Sequence, residues 1–161
     1  MIERIGMGYD VHATEEGRPL VLGGVKFDSP WGLLGHSDAD VISHALGDAL
    51  LGAAALGDLG TWFPPTDSQW KDASSLALLS RIASLLQGQG FRIGNVDATL
   101  LADAPRIAPH RDAMRGALAG ALGVPVESVS VKATTNEGLG FVGRREGLAA
   151  LAIARIVKES T

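Results

Sequence analysis

The clearest hydrophobic pattern lies in the middle of the chain, between residues 35 and 60. Apolar residues recur there at the spacing of one helix face: Val41, Ile42, Ala45, Leu46, Ala49 and Leu50. Asp40, His44 and Asp48 are four residues apart, so a helix places them in one polar stripe beside the apolar face. Ser37 and Asp38, just before this pattern, are candidate N-caps. The pattern predicts an amphipathic helix that carries acids and a histidine close to the core.

That polar stripe needs a compensating partner, because an unpaired charge buried in a protein interior destabilises the fold by several kcal/mol. The same short span also contains His36 and Asp58. A metal cation is the leading candidate for the partner.

The flanking pattern alternates between strand and helix signals. Strands are predicted at residues 2–12, 95–102 and 129–134, and helices at residues 73–87 and 110–122. Residues 19–27 form a predicted hairpin with Gly23 and Gly24 at its turn. Residues 147–157 stay ambiguous, because their Ala and Leu content suits a helix whereas the layout of the other elements asks for a closing strand. The alternation, without any repeat, predicts one two-layer α/β domain over residues 1–161.

Residues 57–72 are rich in Gly, Pro, Thr and Asp, which is typical of a loop. They also contain Trp62, Phe63 and Trp70. Two interpretations stay open: a lid over a binding site, or a surface loop pinned by its aromatic side chains.

Composition and charge argue against nucleic-acid binding, secretion and membrane insertion. The 161 residues are 46% hydrophobic and carry a net charge of −4 without clustering, so no basic stripe predicts nucleic-acid binding. The N-terminus lacks the apolar region of a signal peptide, and no apolar run is long enough to cross a bilayer. We therefore expect a soluble cytoplasmic protein without a transit peptide or a membrane partner.

Cysteine is absent, which excludes disulfides and thiol nucleophiles and leaves His, Asp and Glu as ligands for a transition metal. Asp10 and His12 are two residues apart, so on a strand they point to the same side. Taken alone, such a pair is more typical of a surface Asp and a half-buried His than of a metal site.

A more specific prediction rests on three segments taken together: Asp10-Val11-His12, the run from His36 to Asp40 with His44, and residues 132–137. In this order and spacing the chain resembles the 2-C-methyl-D-erythritol 2,4-cyclodiphosphate synthases of the non-mevalonate route to isoprenoid precursors. The resemblance covers essentially the whole chain. It implies a mixed β-sheet with helices packed on one face, residues 147–157 as a strand, and a homotrimer with active sites at subunit interfaces.

The resemblance also implies a reaction. The substrate is 4-diphosphocytidyl-2-C-methyl-D-erythritol 2-phosphate, whose 2-phosphate attacks the β-phosphorus of the diphosphate. CMP leaves and a cyclic diphosphate forms. The implied cofactors are one Zn²⁺ per subunit and Mg²⁺ or Mn²⁺ bridging the diphosphate.

Site residues follow from matching positions. Asp10, His12 and His44 correspond to the zinc ligands, and Glu137 to the ligand of the second cation. His36 and Thr135 correspond to catalytic residues that stabilise charge in the transition state. The positions that correspond to substrate contacts are Ser37 for phosphate; Asp58, Leu59 and Gly60 for the diol; Phe63, Pro64, Pro65, Thr66 and Asp67 in the loop over it; Ala102, Asp103, Ala104, Pro105, Arg106, Ile107 and Ala108 at the cytosine; and Ala133, Thr134 and Asn136 at the diphosphate.

The chain departs from the family pattern at three positions. Pro65 stands where Asp is commoner, Arg106 where Lys is expected, and Asn136 where Thr is expected. Arg spreads its charge over a planar fork, so the phosphate contact at residue 106 is expected to differ.

Several assignments have two interpretations. His36 either binds phosphate or is a capping or solvent-facing histidine. Asp48 either accepts a hydrogen bond from the ring of His44 or is a helix-surface acid. Asp40 braces either His36 or the start of the helix.

Asp38 is either a cap or a contact to the diol. Phe141 and Arg144 correspond to residues that face a central cavity of the trimer, where an isoprenoid diphosphate binds; the alternative is a buried aromatic beside a structural Arg pair. His110 is interpreted as structural.

Two other functions stay open on the sequence. One is a zinc-dependent phosphoesterase that uses the same Asp and His ligands with an activated water. The other is a trimeric binding or assembly module in which the metal is purely structural.

Overall fold

The computed structural model describes residues 1–159. Seven strands and five helices lie along the described chain, in the order β1 Ile2–Glu16, β2 Leu20–Leu22, β3 Val25–Phe27, β4 Trp31–Leu33, α1 Val41–Ala53, α2 Leu59–Trp62, α3 Ser75–Gly88, β5 Arg92–Leu101, α4 Arg111–Leu122, β6 Val129–Thr134, α5 Gly140–Gly143 and β7 Gly147–Lys158. Single 3₁₀ turns occur at Ser68–Trp70, Ala108–His110 and Val126–Ser128.

Five of the strands form one mixed sheet in the order β4-β1-β7-β5-β6. All neighbours are antiparallel except β5 and β6, which run parallel. Strands β2 and β3 pair separately as a hairpin, and Gly23 and Gly24 have positive φ at its turn. The predicted hairpin and the mixed α/β fold are confirmed.

The ambiguous tail is a strand. Strand β7 lies between β1 and β5 and pairs with both along most of its length. Its residues alternate, so that Ala150, Ala152 and Ala154 are buried beneath α1 while Leu151 and Ile153 are exposed. Pairing on both edges therefore overrides the helix propensity of its Ala and Leu residues.

Other boundaries differ from the predicted ones. Strand β1 runs to Glu16 rather than to residue 12, because its last residues pair with β4, which the sequence pattern did not predict. The loop of residues 57–72 contains the short helix α2 and the 3₁₀ turn Ser68–Trp70. Helix α5 was not predicted either, since four residues carry too little periodicity.

Helix α1 lies against β1 at very short range. A Cβ atom at Gly8 would be 1.9 Å from the carbonyl oxygen of Ala45, and one at Gly6 would be 2.0 Å from that of Ala49. Only glycine permits this approach. Because Asp10 follows Gly8 on the strand and His44 precedes Ala45 on the helix, the same contact brings Asp10 and His44 together.

Asp40 is the N-cap of α1, so the prediction of Ser37 or Asp38 as the cap is wrong. Its fully buried carboxylate accepts hydrogen bonds from the backbone amides of Ile42 and Ser43 and from the Ser43 hydroxyl. It also accepts from the amides of Gly23 and Gly24 at 2.9 and 2.7 Å. Of the two interpretations of Asp40, bracing the helix start is confirmed.

Burial raises the pKa of Asp40, and the hydrogen bonds from Ser43, Gly23 and Gly24 oppose that effect. The carboxylate joins the hairpin turn to α1. Since the cap depends on amides from a turn 16 and 17 residues away, local sequence reasoning around Ser37 and Asp38 did not find it.

The sheet has an exposed apolar surface away from α1. Its large side chains retain 40 to 72% of their accessible area: Ile5, Met7, Tyr9, Val11, Leu151 and Ile153. Residues between them on β1, such as Gly6 and Gly8, are buried under the helix.

Within residues 1–159, we find no helix with both the length and the apolar character needed to cross a membrane.

Candidate active site and metal centre

Three side chains converge where β1 meets α1. Oδ2 of Asp10 is 2.9 Å from Nε2 of His12 and 3.1 Å from Nδ1 of His44, and the two ring nitrogens are 3.0 Å apart. The predicted pairing of Asp10 and His12 on one side of a strand is confirmed. Among the described residues, these three form the group of His and Asp donors close enough to share one metal ion.

The backbone determines the tautomer of neutral His12. Its Nδ1 lies 2.8 Å from the carbonyl oxygen of Leu34, and a carbonyl can only accept a hydrogen bond. Nδ1 therefore carries the proton, and Nε2 presents a lone pair towards Asp10 and His44.

The outer nitrogen of His44 also has partners. Its Nε2 is 3.0 Å from Oγ of Ser37 and 3.0 Å from Oγ of Ser75. Both imidazoles are thus held from outside the triangle, an arrangement typical of histidines that bind metal.

The charges of the triangle are coupled. Burial by itself would raise the pKa of Asp10, but its close contacts with the rings of His12 and His44 and their charge outweigh it and lower the pKa to about 2. Burial works against protonation of His12, yet the hydrogen bond and charge of Asp10 raise the pKa of this histidine. Asp10 is therefore ionised at neutral pH and attracts a cation, whether a proton on His12 or a metal.

The donor set fits a zinc ion. A tetrahedral zinc with ligand bonds of about 2.0 to 2.1 Å separates its ligand atoms by about 3.3 Å, close to the separations found in the triangle. Two imidazole nitrogens and one carboxylate oxygen are the three protein ligands of several catalytic zinc sites, which keep a fourth position open.

A cavity of about 230 Å³ opens beside the triangle. Nine of the predicted site residues line it: Asp10, His12, His36, Ser37, His44, Leu59, Gly60, Phe63 and Pro65. Trp70 and Leu78 also line it and were not predicted as site residues. The aromatic content of the loop was the signal for Trp70, whereas nothing in the sequence distinguished Leu78 from other core leucines.

Asp48 lines the same cavity, but its carboxylate accepts a hydrogen bond from the Leu59 amide at 2.8 Å. The partners of His44 are instead Asp10, His12, Ser37 and Ser75. The prediction that Asp48 holds the ring of His44 is therefore wrong, and as a half-buried residue it is not a helix-surface acid either. Burial raises the pKa of Asp48, and the Leu59 hydrogen bond opposes this.

The loop of residues 57–72 is held by aromatic contacts, as one of its two interpretations predicted, and its role as a lid stays a prediction. The rings of Phe63 and Trp70 meet edge to face at 5.0 Å, and the guanidinium of Arg81 lies 4.9 Å from the centre of the Trp70 ring. The indole of Trp62 donates to the carbonyl of Leu56. Aromatic contacts thus pin the loop while Phe63, Pro65 and Trp70 form a wall of the cavity.

Other predicted loop residues have local partners. Asp58 is the N-cap of α2 and accepts from the amide and hydroxyl of Thr61. Asp67 caps the 3₁₀ turn that follows and accepts from the Gln69 amide. The cavity lining, as far as residues 1–159 define it, does not include Asp58, Pro64, Thr66 or Asp67.

A second group of predicted site residues lies at the carboxyl ends of the parallel strands β5 and β6. The Ala102 amide donates to the Thr134 carbonyl at 3.0 Å, and the Asn136 amide donates to the Asp103 carboxylate at 3.0 Å. These bonds join the segment 102–108 to the segment 133–137. None of their described residues lines the cavity beside the triangle.

Thr135 and Glu137 are neighbours at the surface of this second group. The Thr135 hydroxyl donates to Oε1 of Glu137 at 3.3 Å and accepts from the Glu137 amide at 3.2 Å. Glu137 adopts the left-handed backbone conformation with φ of 52°. Both side chains are exposed and open to a ligand.

Three more residues with predicted roles lie outside both groups. Phe141 is on α5 and 36% exposed, so the alternative of a buried aromatic is wrong. Arg144 makes a two-point ion pair with Glu146, with both N–O distances 3.0 Å. The ring of His110 packs against that of Phe27 with centres 4.6 Å apart and planes tilted by 58°, which supports its structural interpretation.

Comparison with known proteins agrees with this geometry. The profile of the YgbB family matches residues 3–157. The 2-C-methyl-D-erythritol 2,4-cyclodiphosphate synthase of Salinibacter ruber is 60% identical over 153 residues, which cover 95% of this chain and 98% of that protein.

Solved structures give the same result. The bifunctional IspDF from Campylobacter jejuni superposes with a TM-score of 0.94 at 40% identity, covering 99% of this chain and 43% of that one. The IspF of Plasmodium falciparum in complex with CDP has a TM-score of 0.86 at 32% identity, covering 98% and 97% of the two chains. The chain therefore belongs to the YgbB family, the family of the 2-C-methyl-D-erythritol 2,4-cyclodiphosphate synthases.

Proposed function

We propose that the protein converts 4-diphosphocytidyl-2-C-methyl-D-erythritol 2-phosphate to 2-C-methyl-D-erythritol 2,4-cyclodiphosphate and CMP. The observation that carries this proposal is the triangle of Asp10, His12 and His44 at the edge of a cavity lined by His36 and Ser37. The synthase of Salinibacter ruber, at 60% identity, supports the reaction, and the CDP complex of the Plasmodium falciparum relative supports a cytidine nucleotide as ligand.

In this proposal the Asp10, His12 and His44 donors hold one Zn²⁺. When bound, zinc polarises a phosphate group and makes its phosphorus more electrophilic. Glu137 is proposed to hold Mg²⁺ or Mn²⁺, since hard divalent cations prefer carboxylate oxygens and usually bridge phosphates.

His36 and Ser37 bind the diphosphate in this proposal. The Ser37 hydroxyl oxygen accepts from the Ala39 amide at 3.2 Å and lies 3.0 Å from Nε2 of His44. When Nε2 carries a proton it cannot accept the Ser37 O–H, which is left to donate to an anionic oxygen. His36 lines the same cavity. Its ring N–H donates a hydrogen bond to the phosphate oxygen on which negative charge develops in the transition state.

The bond changes balance without water. An oxygen of the 2-phosphate forms a bond to the β-phosphorus, the bond from that phosphorus to the bridging oxygen breaks, and CMP leaves with the bridging oxygen. Thr135 is proposed to donate its hydroxyl to the diphosphate during this displacement.

We propose that the two groups of site residues meet across a subunit interface. Residues 102–108 and 133–137 then supply the cytosine and diphosphate contacts for the zinc half of a neighbouring copy. The exposed apolar face of β1 and β7, including Ile5, Met7 and Ile153, supports a homotrimer in which helices cover one side of each sheet and neighbouring copies cover the other. Phe141 and Arg144 are proposed to face the central cavity of that trimer, with an isoprenoid diphosphate as its ligand.

Product analysis tests the reaction. The candidate substrate is incubated with the protein, Zn²⁺ and Mg²⁺ and followed by ³¹P NMR. We expect the resonances of a cyclic diphosphate and of CMP in equal amounts, and no turnover after chelation. An uncyclised phosphate product would overturn the proposal in favour of a phosphoesterase.

A further inference from the structure

We propose that Ser75 and Asp38 form a positioning pair that fixes the tautomer of His44, so that its Nδ1 offers a lone pair to a metal. This inference rests on the proposed metal site and adds two residues that lie outside the metal-binding triangle. Ser75 is the first residue of α3, and Asp38 precedes α1.

The carboxylate of Asp38 holds Ser75 at two points. Its Oδ2 accepts from the Ser75 amide at 2.9 Å, and its Oδ1 makes a short hydrogen bond with the Ser75 hydroxyl. An ionised carboxylate can only accept, so the hydroxyl hydrogen of Ser75 points to Asp38. Asp38 therefore accepts from the first amide of α3, whose N-cap is Ser74. Of its two interpretations, the cap of α1 is wrong, and the contact to the diol stays a prediction.

That direction determines the next hydrogen bond. Oγ of Ser75 lies 3.0 Å from Nε2 of His44, and its single hydrogen is already donated to Asp38. Ser75 can therefore only accept from His44, which places the proton on Nε2. Nδ1 is left unprotonated at 3.1 Å from Oδ2 of Asp10 and 3.0 Å from Nε2 of His12.

Ser75 is distinct from Ser37, the second hydroxyl at Nε2 of His44. Ser75 is 1% exposed and is not part of the cavity lining, whereas Ser37 lines it. Ser75 therefore acts through His44 rather than on a substrate.

Backbone hydrogen bonds hold this arrangement in register. The Asp38 amide donates to the Ala73 carbonyl at 3.1 Å, and the Asp72 amide donates to the His36 carbonyl at 2.9 Å. The segments 36–38 and 72–75 are thus joined by main-chain and side-chain bonds. The end of the aromatic loop is attached through Ser75 to a metal ligand.

The test compares Ser75→Ala and Asp38→Asn with a matched control, Ser84→Ala. Ser84 is on the same helix, but its exposed hydroxyl donates only to the Ser80 carbonyl one turn back. Ser75→Ala removes the one hydroxyl at Nε2 whose hydrogen is held by Asp38, and leaves Ser37, whose own O–H can donate to Nε2. Asp38→Asn allows the residue 38 amide to donate to Ser75, which frees the Ser75 hydroxyl to donate to His44 and favours the Nδ1–H tautomer.

Two readouts are independent of turnover. Long-range ¹H–¹⁵N NMR of the metal-free protein, recorded above the pKa of His12, reports the tautomer of His44. Competition with a chromophoric chelator reports zinc affinity. We expect wild type and Ser84→Ala to show Nε2–H, and both site variants to gain Nδ1–H and to bind zinc about 10- to 100-fold more weakly.

Wild-type tautomer and zinc affinity in both site variants would overturn the proposal. If Ser75→Ala does not fold, Asp38→Asn alone carries the comparison, since it preserves side-chain shape. Because neither readout uses substrate, a wild-type protein that binds zinc with this tautomer but forms no cyclic product would refute the proposed reaction and leave this inference standing.

Discussion

Nε2 of His12 and Nδ1 of His44 lie 3.0 Å apart, although neither nitrogen carries a proton in the neutral tautomers that the surroundings impose. The Leu34 carbonyl accepts a hydrogen bond from Nδ1 of His12, on the far side of that ring. Ser75 accepts one from Nε2 of His44, on the far side of the other ring. With Oδ2 of Asp10, three lone-pair atoms face one another at about hydrogen-bond distance. Such a triangle is stable when a cation occupies it, which is the physical reason to expect a metal there.

The first prediction concerns metal content. His44→Ala removes one of three donors, so we expect the purified variant to lose its stoichiometric zinc and its activity while keeping its oligomeric state and its fold. Elemental analysis and native mass spectrometry measure these properties. His110→Ala is the matched control, because His110 packs against Phe27 and is not one of the three donors, so this variant should keep its zinc. Full zinc occupancy in His44→Ala would exclude His44 as a ligand.

The second prediction concerns pH and the metal-free protein. The raised pKa of His12 means that its stabilising contribution is fully present below its ordinary value near 6.5 and is lost as the pH rises through the raised value. The lowered pKa of Asp10 means that its contribution is present above its ordinary value of 3.8 and is lost as the pH falls towards about 2.

We therefore expect the triangle to stabilise the metal-free protein most between about pH 4 and about pH 6.5, by about 2 kcal/mol from the shift of Asp10. The difference in melting temperature between wild type and His12→Ala, measured across this range, isolates the effect. Zinc affinity should change in the opposite sense and increase as His12 loses its proton. A wild-type-minus-variant difference that does not vary with pH would contradict the coupling of Asp10 and His12.

The third prediction concerns stability. Asp40→Ala removes the acceptor of five hydrogen bonds and leaves the buried amides of Gly23 and Ser43 without it. We expect a loss of about 3 kcal/mol or more in the free energy of unfolding, measured by denaturant titration. Asp112→Ala, at an exposed helix position where the carboxylate pairs with Arg115, should cost less than about 1 kcal/mol. Equal effects of the two variants would show that Asp40 does not brace the hairpin and α1.

The fourth prediction tests whether the site is shared between subunits. His44→Ala lacks the zinc half, and Thr135→Val with Glu137→Ala lacks the diphosphate half. Refolded together at equal concentration, about three quarters of cyclic trimers are mixed, and each mixed ring contains one intact site of three. We expect about a quarter of wild-type activity to return. Activity that stays at the level of the separate variants, with mixed trimers confirmed by native mass spectrometry, would place both halves in one chain.

Periodicity and family resemblance predicted the fold and the metal-binding group well, and the reasons are local. The apolar spacing of α1 and the two-residue spacing of Asp10 and His12 are properties of short segments, and both are confirmed. The closing strand β7 followed from the resemblance, because its Ala-rich sequence by itself suits a helix.

The features that sequence reasoning missed depend on contacts between distant segments. Asp40 caps α1 with help from a turn 17 residues earlier, and Ser75 reaches His44 from 31 residues later. Helical spacing predicted that Asp48 contacts His44, but the carboxylate of Asp48 accepts a hydrogen bond from the Leu59 amide in the following loop. The spacing of residues along one helix cannot predict which residue of another segment will lie next to them.

The most direct test of the central claim is to run the reaction in H₂¹⁸O and to measure isotope shifts by ³¹P NMR. Attack by the substrate's own 2-phosphate uses no water, so we predict a cyclic diphosphate and CMP that both lack ¹⁸O. Protein from which the metal has been removed serves as the control. Incorporation of ¹⁸O into a phosphate of either product, with an uncyclised methylerythritol phosphate, would show that water is the nucleophile and would contradict the cyclisation.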